Sequence, residues 1–158
     1  MEARSVQGKN FMSGKIFLDT NILIYAHDID AGNKHSISRE IVKDLWGKKT
    51  GVLSTQVLQE FYINVTRKIL SPLSLLEARE VIRSYLCWEI RENTSLSVIR
   101  ASEIEEQYHI SFWDALVVVA AYTAKADKIL TEDLNAGQFI EGILIVNPFQ
   151  LIKNVKRE

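Results

Sequence analysis

The chain has 158 residues, 47% of them hydrophobic and 25% charged, with a formal net charge of −1. This length suits one domain with a single substantial core, and the composition is ordinary for a soluble globular protein. Nucleic-acid binding by bulk positive charge is unsupported, and no apolar run approaches the roughly 20 residues that span a bilayer.

Residues 1–14 lack the apolar h-region of a signal peptide and read as a loose leader, with Met12 an alternative start. The domain proper is expected over 15–150, with a short C-terminal tail over 151–158. Lys15 to Leu18 reads as a short buried strand, and Asn21 to His27 as a helix directly after it. His35 to Trp46 carries Ile37, Ile41, Val42 and Leu45 at helical spacing. Gly51 to Leu53 is a second short strand. Ser54 or Thr55 then offers an N-cap for a helix reaching about Leu70, stopped before Pro72.

Ser74-Leu-Leu-Glu77 has the capping-box pattern and opens a helix to about Cys87. Trp88 to Arg91 reads as a strand and Leu96 to Tyr108 as a helix. Ser111-Phe-Trp-Asp114 repeats the cap pattern with Asp in the last place. The apolar run Ala115 to Tyr122 would alone suit a buried strand. The cap before it, its alanines and the pattern to Ala126 favour a buried helix. Lys128 to Leu130 and Ile143 to Val146 complete the strands. Alternating strands and helices predict an α/β sandwich with a parallel sheet. Cys87 is the only cysteine, so no internal disulfide forms and a reducing cytoplasm fits; its expected place is buried filler. Leu75, Leu76, Tyr85, Leu86 and Trp88 suit either a partner surface or the core, and the core is expected for most of them.

Four acids interrupt or border this pattern. Asp19 ends the first strand, Glu60 lies in the helix after the second, Asp114 opens the buried helix, and Asp133 follows Lys128-Ile-Leu. An ionised carboxylate at an apolar border is costly unless compensated, and a divalent cation is the simplest common compensation. In a parallel sheet, ligands bind at the carboxyl ends of strands near a switch in strand order. Topology therefore puts Asp19 and Asp133 on one rim.

Each acid has a plainer alternative. Asp19 suits a helix N-cap, and Thr20 and Asn21 suit cap, turn or water-contacting roles. Glu60 lies off the apolar stripe of its helix, on a face shared with Gln56, Asn64 and Arg67, where a solvated pair with Arg67 is the alternative. If that face walls a groove, Asn64, Arg67 or Lys68 would meet a phosphate backbone. Asp114 suits the capping partner of Ser111. Asp133 suits an ordinary loop, like its neighbour Glu132. His27, His35 and His109 lack zinc-ligand spacing and are not assigned as ligands.

The ordered set Asp19-Thr-Asn-Ile-Leu-Ile-Tyr-Ala, Ser54-Thr-Gln-Val-Leu-Gln-Glu60-Phe, Ser111-Phe-Trp-Asp114-Ala-Leu and Thr131-Glu-Asp133-Leu resembles the PIN-domain ribonucleases, and looks closest to the VapC-type toxins of toxin–antitoxin pairs. Val146-Asn-Pro-Phe149 also looks like that family's ending. The resemblance covers about Ile16 to Phe149 and implies a PIN-like three-layer α/β/α sandwich with a short, mainly parallel central sheet. It further implies RNA cleavage with Mg²⁺ or Mn²⁺, a homodimer, and a separately encoded antitoxin that blocks the site. Asp19, Glu60, Asp114 and Asp133 match the family's four acids, and Thr131 its small hydroxyl residue near the last.

Phosphodiester hydrolysis needs an activated water and stabilised charge on the phosphoryl and leaving oxygens, which one or two divalent ions supply. Asp19 and Asp114 are the expected principal ligands, with Glu60 and Asp133 completing or positioning the set. In-line attack would leave a 5′-phosphate and a 3′-hydroxyl. A haloacid-dehalogenase-like phosphatase needs an acid two residues after its nucleophilic Asp, where this chain has Asn21. A receiver domain wants paired acids before its Asp, where this chain is basic and apolar. A catalytically silent PIN-like module binding RNA or protein is the remaining alternative.

Overall fold

The computed structural model describes residues 12–150. The tail lies outside the described residues, as does the leader apart from Met12 to Gly14. Six strands form one sheet: β1 Ile16–Leu18, β2 Gly51–Ser54, β3 Glu89–Arg91, β4 Lys128–Leu130, β5 Phe139–Ile140 and β6 Ile143–Val146. The helices are α1 Thr20–His27, α2 Asn33–Lys48, α3 Thr55–Arg67, α4 Leu75–Tyr85, α5 Ser95–Tyr108 and α6 Phe112–Thr123.

Strand order is β3-β2-β1-β4-β6-β5, parallel throughout except for β5 against β6. The chain winds outward from β1 to β3, then returns through α5 and α6 to lay β4 on the other side of β1. Right-handed crossovers in opposite directions put the two helix groups on opposite faces, which makes three layers. The register aligns Val52, Phe17, Ile129 and Ile145 across four strands, and all four are fully buried. A sheet covered on both faces requires such uninterrupted apolar strands.

The caps explain where the helices begin. Ser54, Ser74 and Ser111 each accept the backbone N–H three residues on, while a reciprocal capping box forms at Thr94 and Ser97. Helix α3 stops at Arg67, short of the expected Leu70. Both Lys68 and Ile69 donate their N–H to the Asn64 carbonyl, and Leu73 N–H returns to the Val65 carbonyl ahead of α4.

Two expectations fail near α4. Cys87 is exposed rather than filler, because the chain turns after Leu86 and sends Trp88 inward instead. Tyr85 and Trp88 are core, but Leu75, Leu76 and Leu86 are exposed. Ala78 and Tyr85, seven residues apart, carry the buried face of α4, so the leucines at its two ends point elsewhere. Among the described residues no helix is long and apolar enough to cross a membrane.

Candidate active site

The return of the chain makes the β1–β4 boundary the switch point, and Asp19 sits in it. Its N–H donates to the Leu130 carbonyl at 3.0 Å, continuing the strand pairing past β1. Its side chain caps α1, with Oδ1 accepting the Thr20 N–H at 2.7 Å. Oδ2 accepts the Thr131 hydroxyl at 2.7 Å. The cap alternative is therefore true, and it leaves the acid only 5% exposed among other carboxylates. Burial pushes its pKa up to about 7 against the lowering effect of the Thr131 and Thr20 hydrogen bonds, and Asp114 and Asp133 push the same way as burial.

Glu60 is supplied by the second turn of α3. Its Oε2 accepts the Thr20 hydroxyl at 2.6 Å, and its Oε1 accepts Gln56 Nε2 at 3.1 Å. These bonds replace the alternative pair with Arg67. Gln56 Nε2 also donates to the Trp113 carbonyl at 3.2 Å, tying α3 to the first turn of α6. Gln56 was visible in the sequence only as a member of the polar face. Its spacing of four residues from Glu60 was the available signal.

Asp114 is half-buried, and its N–H donates to Ser111 Oγ at 3.1 Å as the cap pattern predicts. Burial raises its pKa, opposed by a side-chain hydrogen bond from Ser111 and reinforced by Asp133 and Glu60. Asp133 is exposed; its Oδ2 accepts Asn21 Nδ2 at 3.0 Å, and its N–H donates to Thr131 Oγ1 at 3.1 Å. Asn21 Nδ2 also reaches Thr131 Oγ1 at 3.4 Å. Thr131, fully buried, thus joins Asp19, Asn21 and Asp133. The adjacent Glu132 belongs to a different cluster. It accepts the Tyr25 hydroxyl and pairs with Lys34 at 2.8 Å.

All four acids therefore come together, joined by direct hydrogen-bonding neighbours or by mutual repulsion. Among the described residues none of them pairs with a lysine or arginine. Two buried amide oxygens in the same cluster, Asn21 Oδ1 and Gln56 Oε1, have no hydrogen-bond partner among the described residues. An all-oxygen donor set with uncompensated negative charge fits a hard divalent cation. As they stand, the side chains form no ready-made cage of three or more acidic, His or Cys ligands among the described residues. Mg²⁺ keeps several waters and needs only one or two carboxylates, so the absence of a closed cage does not conflict with the fit. Of the three residues expected to face phosphate, Asn64 donates its side-chain amide to the Glu60 carbonyl at 2.8 Å. Arg67 ends α3, Lys68 caps it, and both are exposed.

An open α/β sheet with carboxylates gathered at its switch point places the protein in a class whose chemistry sits on the carboxyl rim of the strands. Comparison narrows this class: the sequence model of the PIN domain matches residues 16–139, and the chain belongs to the PIN domain family. No curated protein sequence matches significantly. Solved structures do. VapC20 of Mycobacterium tuberculosis, described as a sarcin-ricin loop cleaving toxin, matches with a TM-score of 0.58 at 19% identity, covering 73% of this chain and 87% of its own. DNA-bound VapBC of Salmonella typhimurium matches with a TM-score of 0.60 at 18% identity, covering 85% and 98%. VapBC2 of Rickettsia felis, bound to a promoter DNA fragment, matches with a TM-score of 0.58 at 20% identity, covering 84% and 97%. At these identities the likeness is one of fold.

Proposed function

We propose that this chain is a metal-dependent endoribonuclease, the toxin of a toxin–antitoxin pair, cutting RNA in the cytoplasm as a homodimer. One observation carries the reading: the buried Asp19 meets Asp114 and Asp133 at the switch point with no basic side chain pairing with them among the described residues. Membership of the PIN family supports the nuclease assignment. Its structural neighbours, described as toxins and toxin–antitoxin complexes, support the toxin role and a separately encoded antitoxin.

In this reading Asp19 and Asp114 would hold Mg²⁺ or Mn²⁺, with Glu60 and Asp133 completing or positioning the set. When bound, the cation polarises the phosphoryl oxygens and stabilises charge on the leaving oxygen. The chain's own groups do the rest. Thr20 and Gln56 hold one oxygen each of Glu60, Thr131 holds Asp19, and Asn21 holds Asp133. Asn64, Arg67 and Lys68 line the approach along α3 and meet the phosphate backbone. Water attacks phosphorus in line with the departing 3′-oxygen, which leaves a 5′-phosphate and a 3′-hydroxyl.

The test incubates the purified protein with end-labelled RNAs in Mg²⁺, Mn²⁺ or EDTA, beside an identically purified Asp114→Asn variant. Metal-dependent cleavage by the wild type, absent in the folded variant and leaving 5′-phosphate ends, is the expected result. A 2′,3′-cyclic phosphate product would exclude this mechanism. Metal binding without cleavage by either protein would favour the silent RNA- or protein-binding module.

A further inference from the structure

Helix α6 is buried from Ala115 to Ala121, yet Trp113 in its first turn is 64% exposed. The residues one turn beyond it, Leu116 and Val117, are buried, so the indole does not belong to a solvent-facing stripe. Helical side chains lean toward the N-terminus. Since α6 leads back into parallel β4, its N-terminus lies at the carboxyl rim of the sheet, and Trp113 is exposed at that end. Phe112 supports it in a T-shaped contact with centroids 5.5 Å apart.

The backbone beneath the indole is fixed to the site. The Trp113 carbonyl accepts Gln56 Nε2 at 3.2 Å, and the same nitrogen holds Glu60 Oε1 at 3.1 Å. Gln56 is 6% exposed, so water competes little for this link. The next residue in the chain is Asp114. One shielded amide therefore ties the Trp113 backbone to Glu60, with Asp114 the next residue along.

Resting on the ribonuclease reading above, we propose that Trp113 is a base-stacking residue: its exposed indole receives an unpaired nucleobase beside the scissile phosphate. Two observations favour a nucleobase over a protein side chain. Polar residues flank the aromatic pair Phe112 and Trp113 in the chain, exposed Ser111 before it and the ionisable Asp114 after it. On the α3 face that carries Glu60, the exposed Arg67 follows two turns on, about 10 Å by helix rise, with Lys68 next to it. Neither cation has a carboxylate partner among the described residues. An aromatic platform and a line of free cations are what a single strand uses, the ring for a base and the cations for phosphates.

The experiment titrates a labelled single-stranded oligouridine RNA, and a base-free ribose-phosphate chain of equal length, against full-length wild type, Trp113→Ala and Trp113→Phe, with Ca²⁺ in place of Mg²⁺. Mn²⁺ affinity and Mg²⁺-dependent cleavage are measured on the same preparations. Stacking predicts that Trp113→Ala weakens oligouridine binding by roughly 5- to 150-fold. Trp113→Phe should keep most of the affinity, with the base-free chain and Mn²⁺ binding alike in all three proteins. If Trp113→Ala binds oligouridine as tightly as wild type, the stacking role is overturned, while wild-type cleavage still upholds the ribonuclease. If its Mn²⁺ affinity or base-free binding falls equally, the indole is structural and the proposal is again overturned. A wild type that neither cleaves nor binds RNA removes both readings.

Discussion

The Thr20 hydroxyl donates to Glu60 Oε2 across 2.6 Å, while the Thr20 N–H donates to Asp19 Oδ1 at 2.7 Å. A single residue therefore orients two acids that lie 41 positions apart in the chain, one through its side chain and one through its backbone.

Removing the hydroxyl should separate these two roles. Thr20→Val keeps the β-branched shape and the backbone cap but leaves Glu60 with Gln56 as its only observed donor. Loss of an outer-shell partner at a metal site costs roughly 10- to 100-fold in affinity or activity. We expect a loss of RNA cleavage in that range, with Thr20→Ser close to wild type and folding intact. Unchanged cleavage in Thr20→Val would show that the Thr20–Glu60 contact is dispensable.

Asp114 stands among like charges, so neutralising it should not harm the metal-free fold. Its cap bond to Ser111 uses backbone N–H and survives in Asp114→Asn. In EDTA the variant should melt at or above the wild-type temperature, because the burial cost of a charge, then its repulsion from Asp133 and Glu60, together outweigh the Ser111 side-chain bond and are relieved. Mg²⁺ or Mn²⁺ should raise the wild-type Tm and move the variant much less. A variant that melts well below wild type in EDTA would assign Asp114 to the scaffold instead.

His27 supplies a pH dependence away from the acids. Its Nε2 shares a hydrogen bond of 2.7 Å with the Tyr85 hydroxyl, and its ring meets Phe61 and Tyr85 edge-on. Burial, then nearby His35, lowers its pKa to about 4 from an unfolded value of 6.5. Above about pH 6.5 both states are neutral and the stabilisation is complete. As pH falls toward 4, the unfolded chain takes a proton that the folded one refuses, and stability drops by about 3 kcal/mol. Asp19 titrates with the opposite sign, but it is present in both proteins being compared. Denaturant unfolding of wild type and His27→Gln between pH 7 and about 4.5 should show a shallower slope for the variant. Parallel slopes would refute the assignment.

Gly51 offers a test of packing. A Cβ there would lie 2.3 Å from the Trp88 ring, which is held in turn between Trp46 and Tyr85. Gly51→Ala should therefore destabilise the fold by about 1–3 kcal/mol. Gly51 begins β2, at the end of the sheet away from the acids, so cleavage below the melting range should be unchanged. Unaltered stability would mean that the aromatic cluster yields easily.

The strand–helix alternation was legible because its signals are local. Ser54, Ser74 and Ser111 announce their helices, and uninterrupted apolar runs announce β1 and β6. The order of the acids was legible too, but not what holds them. The bonds from Thr20 to Glu60 and from Thr131 to Asp19 join residues 40 and 112 positions apart, and no periodicity reports such contacts. Strand β5 went unpredicted because two residues have no pattern of their own. It exists through its antiparallel pairing with β6 across Glu141 and Gly142, both at positive φ as a tight primed hairpin turn requires. The exposure of Cys87 and of three leucines around α4 depended on which way each helix end turned, and composition is silent on that.

The sheet is closed to newcomers at both sides. One edge, β3, is three residues long and carries Glu89 paired with Lys15 and Arg91; the other, β5, has only two residues. Short, charged edges make poor templates for an added strand. Any protein partner is therefore expected to engage helix faces or the acidic rim through side chains rather than by extending the sheet. The same bluntness should discourage these molecules from associating edge to edge when they accumulate.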